Sequence, residues 1–170
     1  MNGYSDTERA DALFSRKDFD IDGLDDEIRV DERCLRLLRL FYLDQVDSGR
    51  PPEEAGALAH GADYFLRDFI VADRRENIFA LDCGRVRQFA GNWYIARNLE
   101  PNMAELEGIL RGVGAFYEYA QKIGRVSAGL AAGIRAETEN LALYRRRIED
   151  FWAIEDDGYG EWDRQCPVED

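Results

Sequence analysis

The chain is poor in the residues that make and break bonds. It has one histidine, His60, and three cysteines, Cys34, Cys83 and Cys166, which are odd in number, far apart and in no metal-ligand spacing. That pattern excludes a structural zinc site and suits a reducing compartment better than a secreted one. No apolar run approaches the ~20 residues of a membrane span. The N-terminal Met-Asn-Gly-Tyr-Ser-Asp has neither the basic head nor the apolar stretch of a signal peptide. A cytoplasmic protein without membrane association is expected. With only 4 prolines, no Pro- or Ser-rich linker and no internal repeat, nothing divides the chain.

Basic residues are also scarce: 22 Lys and Arg face 35 Asp and Glu, a net charge of −13. Such a field repels phosphate backbones and anionic lipid unless the cations are gathered on one face. The acids concentrate at the ends, with 15 acids and 8 bases in 1–60, 9 of each in 61–126, and 11 acids and 5 bases in 127–170. A local basic surface is therefore conceivable only in the middle. At 170 residues, 45% of them hydrophobic, the chain buries roughly 70% of its unfolded surface as one domain and needs no crosslink to fold.

The apolar periodicity is helical throughout. Leu35, Leu38, Tyr42 and Val46 mark the expected buried face of a helix over 31–46, which Asp47, Ser48 and Gly49 stop. Pro51 and Pro52, followed by Glu53 and Glu54, read as the first turn of a second helix. Its stripe is Leu58, Ala62, Phe65 and Phe69. After a linker at 77–82, Asp82 can cap a third helix carrying Val86, Phe89 and Trp93, in which Gly91 suggests a close backbone approach. Asn102 with Glu105 opens a fourth, through Leu106, Leu110, Val113 and Tyr117 to Gly124. A single last helix runs from Ser127 through Leu130, Ile134, Leu141, Tyr144, Ile148 and Phe151. Strands have little support, so the expected class is all-α: an irregular bundle of about five helices over 30–154, with an acidic N-terminal extension, 1–29, and an acidic aromatic tail, 155–170, each a free tail or an extension docked on the bundle.

Few residues offer chemistry. His60 has no nucleophile placed beside it by a motif and no Glu three residues before it, so neither a triad nor a di-iron helix is indicated. Gly112 and Gly114 match no phosphate loop and sit inside a helix. Asp18, Asp20, Asp22 and Gly23 imitate the first half of a calcium-binding EF-hand loop, but the twelfth position, which needs a bidentate carboxylate, is Arg29. Glu137 occupies a slot that should face the core and therefore needs a partner, for which Arg111 is the expected candidate.

From Gly61 to Val126 the order of features resembles the N-terminal core-binding domain of tyrosine recombinases and phage integrases, a SAM-like helical unit. The resemblance lies in Tyr64-Phe65-Leu66-Arg67-Asp68-Phe69 at the opening, the 78–82 linker, and Val86-Arg87-Gln88-Phe89. It continues through the 106–110 helix start and Phe116-Tyr117-Glu118-Tyr119, and Gly124-Arg125-Val126 closes the unit. The resemblance implies a DNA clamp without the separate catalytic domain: His60 is followed by Asp63 where a His-x-x-Arg would place arginine. The cations available to such a clamp are Arg74, Arg75, Arg85, Arg87, Arg97, Arg111, Lys122 and Arg125.

The reading these residues favour is a non-catalytic, cofactor-free helical module that binds another protein or a second copy of itself. It would use a groove between helices or the tail anchors Tyr159 and Trp162. A DNA-binding accessory protein is the alternative, disfavoured by the net charge, and an enzyme or a calcium-binding protein comes third.

Overall fold

The computed structural model describes residues 14–170, and all its regular elements are helical, with no strand among the described residues. After a 3₁₀ turn at Arg16–Phe19, seven helices follow: α1, Leu24–Asp47; α2, 52–74; α3, 84–97; α4, Met103–Lys122; α5, Ala128–Thr138; α6, Leu141–Trp152; and α7, Tyr159–Arg164. The second begins as an α-helix at Pro52–Asp63 and continues as wide π-helical turns over Tyr64–Arg74. The third has the same widening at Phe89–Trp93.

The frame is the crossing of α2 and α4. A Cβ placed on Gly61 would lie 2.8 Å from the Ile109 Cα, and one on Gly112 would lie 2.3 Å from the Leu58 carbonyl oxygen. The two backbones therefore touch where only glycine fits, which is the reason for helical glycines that otherwise lose about 1 kcal/mol of propensity each. Around this crossing α1 packs on α2, α5 on α4, and α3 on α5 and α6.

The widened turns of α2 and α3 carry the aromatic centre of the core. Phe65 meets Phe89 edge-on at 5.2 Å, Phe69 lies 5.2 Å from Trp93, and Phe89 stacks on Trp93 at 5.8 Å. The 78–82 linker is no surface loop: Ile78, Phe79 and Leu81 are buried, and the Tyr117 hydroxyl donates to the Ile78 carbonyl at 2.7 Å. Asn102 caps α4 as its spacing predicts, accepting from the Glu105 N–H at 2.9 Å, and Gly124 leaves the helix at φ +75°.

Four expectations need correction. The first helix begins at Leu24, inside the segment read as an extension, because Gly23 supplies an extended N-cap and Asp25, Asp26 and Glu27 favour the positive first turn. Its buried face is Val30, Cys34, Leu37 and Phe41, flanked by Leu38, which is buried as expected, while Leu35 points outward. The last helix is two, α5 and α6. The Thr138 hydroxyl donates to the Arg135 carbonyl and Asn140 leaves helical geometry with ψ 51°, so the chain turns at 139–140. The C-terminal segment, one of whose two expected states is a docked extension, carries a helix of its own, α7, so that the helices number seven and not about five.

Removing the freedom at the crossing tests the frame. Gly112→Ala should lower the unfolding free energy by about 1–3 kcal/mol through overpacking. Gly108→Ala, on the same helix with open space above it, should raise it by about 0.4–1 kcal/mol. Urea melts of both variants measure this; equal effects would mean that the helices do not touch there.

Candidate interaction site

The longest helix has two apolar faces. Besides the buried one, Leu24, Ile28, Leu35, Tyr42 and Val46 recur in steps of four and seven along one outer stripe, with Tyr42 and Val46 half-buried. This outer seam holds large apolar side chains in solvent: Leu24 is 65% exposed, Ile28 54% and Leu35 47%, with Leu43 at 38% beside it. Scattered exposed leucines are ordinary, but four on one helix face form a patch.

Beside the seam, α1 and α2 enclose an open groove of about 650 Å³ lined by Leu35, Leu38, Arg39, Tyr42, Ala59 and His60. An ion-pair network fixes its walls. Arg67 of α2 grips Asp31 of α1 bidentately, Nε to Oδ1 at 2.9 Å and Nη2 to Oδ2 at 3.1 Å, and reaches Asp63 on its own helix at 3.1 Å. Those hydrogen bonds hold the Arg67 guanidinium firmly protonated. Partial desolvation of Asp68, followed by the negative charge of Asp63, raises its carboxyl above the ordinary range although the residue is exposed. His60 is exposed and makes no hydrogen bond among the described residues. The groove therefore offers apolar area with a mixed charged rim.

The eight central cations do not form a free basic face. Arg74, Arg85 and Arg97 are drawn together at one edge: Arg74 and Arg97 share Asp73, and Arg74 and Arg85 both donate to the Glu169 carbonyl. Arg85 also pairs with Glu76, and the Arg97 guanidinium lies 4.9 Å above the Trp93 ring. The other five have partners of their own. Arg75 pairs with Glu27 at 3.3 Å, Arg111 with Glu107 at 3.1 Å, and Lys122 with Asp44. Arg125 donates to the Phe14 and Ile123 carbonyls. Arg87 takes Glu137 bidentately at 2.9 and 3.0 Å, so the partner expected in Arg111 is Arg87 instead: the turn at 139–140 ends α5 beside α3, while Arg111 is spent on its own helix.

Nor do the acidic residues Asp18, Asp20 and Asp22 converge. The Asp18 carboxylate caps its own turn by accepting from the Ser15 N–H at 2.7 Å, which also lowers its pKa. Asp20 accepts from Asn77 at 2.8 Å, and the Asp22 N–H donates to Asp26. Among the described residues no group of His, Cys, Asp or Glu is arranged to hold a metal ion. No described helix is long and apolar enough to cross a membrane.

The tail folds back on the bundle. Trp162 is 3% exposed, packs 5.1 Å from Phe151 and donates from Nε1 to the Arg147 carbonyl at 2.9 Å. Arg147, itself buried, stacks its guanidinium 4.1 Å above the Trp162 ring and donates from Nε to the Gly91 carbonyl at 2.8 Å. Gly91 leaves room for the Cys166 sulfur, which would lie 2.8 Å from a Cβ there. Asn92 ties the same segment through Asp163 at 2.7 Å and the Cys166 carbonyl at 2.9 Å. Of the two tail anchors, Trp162 is thus occupied within its own chain and only Tyr159 is exposed. Sequence reasoning missed Leu24, Ile28, the Asp31–Arg67 bridge and the Arg147 clamp. The first two were legible as a continuation of the 28, 35, 42 rhythm; a buried arginine has no periodic signature.

No protein-family model, curated protein or solved structure matches this chain.

The thiols report on tail docking. Burial pushes the Cys34 thiol up to about 12 and raises that of Cys166, whereas Cys83 is half-buried at the start of α3. With a disulfide thiol reagent near neutral pH, Cys83 should react first, Cys166 more slowly through local opening, and Cys34 only on global unfolding. Cys166 reacting as fast as Cys83 would show that the tail is mostly undocked.

Proposed function

We propose that this chain is a non-catalytic helical module that binds a protein partner through the outer seam of α1 and the adjoining α1–α2 groove. The observation that supports the reading is the exposed row of Leu24, Ile28 and Leu35 on a helix whose opposite side is already buried. An amphipathic partner helix laid along such a seam covers its apolar side chains and leaves the charged rim to set orientation.

A photo-crosslinking residue placed at position 35 should give a discrete adduct in source cells, and Ile28→Asp should abolish it. The same residue at position 99, where Leu99 is almost fully exposed but isolated, should give none. Indiscriminate labelling from both positions would refute a docking face.

DNA binding, which the likeness to integrase core-binding domains implies, has less support. Each of the eight cations that would meet phosphates already has an intramolecular partner, and freeing them sacrifices those contacts. No shift of duplex DNA in a gel at low salt is the expected outcome, and a salt-dependent shift would favour the clamp instead.

A further inference from the structure

The outer seam of α1 is electrically lopsided. Its N-terminal half carries Asp25, Asp26, Glu27, Asp31 and Glu32 against Arg29 alone, the middle, 33–43, holds Arg33, Arg36 and Arg39 and no acid, and the last turn carries Asp44, paired with Lys122, and Asp47. Several of these charges are committed: Asp31 to Arg67, Asp26 to Arg29, Glu27 to Arg75, and Arg33 to the Asp18 carbonyl. Asp25, Glu32, Arg36 and Arg39 are exposed and have no ion-pair partner among the described residues.

We infer that this face pairs with the same face of a second copy of the chain, the two α1 helices running antiparallel about a two-fold axis near Leu35. The inference rests on the docking reading above and names its partner. An antiparallel two-fold is the arrangement in which one surface is its own complement. It lays Ile28 across from Tyr42 and Leu24 across from Val46, with the two Leu35 side chains meeting at the axis. It also sets Glu32 of each copy, opposite Leu38, next to Arg39 of the other, on both sides of the axis. A parallel pair would set acid on acid and base on base, and electrostatic complementarity of this kind decides orientation more than affinity. A helix of 24 residues is about 36 Å long, a narrow strip that falls below the area of standard stable interfaces, so the dimer is a weak one with a dissociation constant in the tens of micromolar, roughly.

Glu32, Leu35 and Arg39 are exposed, so substitutions there spare the core and circular dichroism can verify the fold. In analytical ultracentrifugation from about 1 to about 300 µM, the average mass should rise from that of one chain toward that of two. Leu35→Asp should hold it at one chain. Arg39→Glu should weaken association about tenfold, and Glu32→Arg added to it should restore affinity, because the two reversals exchange the signs across the axis. Leu99→Asp should change nothing. A wild-type protein that stays monomeric throughout, or a double variant no better than Arg39→Glu, overturns the pairing. If a monomeric protein still yields the adduct from position 35 with a different polypeptide, the docking face stands and only self-pairing falls; if the adduct is absent as well, both fall.

Discussion

The structure hangs on one contact, the crossing at which Gly61 and Gly112 let the backbones of α2 and α4 touch. Helices usually pack 8–10 Å apart because side chains hold them there. Dispensing with side chains at the crossing brings these two closer and sets where every neighbouring helix can lie. The aromatic layer of Phe65, Phe69, Phe89 and Trp93 fills the space that opens beside this crossing, and the tightness of one junction accounts for the bulk of the next.

With the core filled, polar groups are used mainly to tie segments together. Arg67 joins α1 to α2, Arg87 joins α3 to α5, and Arg147 clamps the tail. Most of the arginines that a count of charges would offer to an external anion are consumed in this way. An acidic protein with internally committed cations is left with apolar area and spare acids on its surface, and exposed apolar side chains line α1.

How much of this was legible beforehand differs by element. The capped helices announced themselves: Asn102 with Glu105, and Pro52 with Glu53 and Glu54, combine local chemistry with period. Gly91 was readable as a close approach, although the sequence contained no hint that the approaching atom was the sulfur of Cys166. The inner and outer faces of α1 were confused because both carry the period of a helix. Val30, Cys34, Leu37 and Phe41 repeat as faithfully as Leu35, Leu38, Tyr42 and Val46, and only tertiary packing shows that Leu38 of the second set is buried and Leu35 is not. The break at 139–140 was hidden because Ile134, Leu141 and Tyr144 stay in phase across it. The ion-pair partners were hidden for a different reason: which carboxylate meets which arginine is a property of tertiary distance.

A helix with two oily sides has two ways to sit. Turning α1 about its axis by roughly a third of a revolution would hide the Leu35 side and show the Phe41 side, so burial by itself leaves the rotation nearly undecided. The bidentate Asp31–Arg67 bridge breaks that tie, because the rotated helix would carry the carboxylate away from its guanidinium and strand a half-covered charge. In this role the bridge acts less as cement than as a key, selecting one of two comparably greasy orientations.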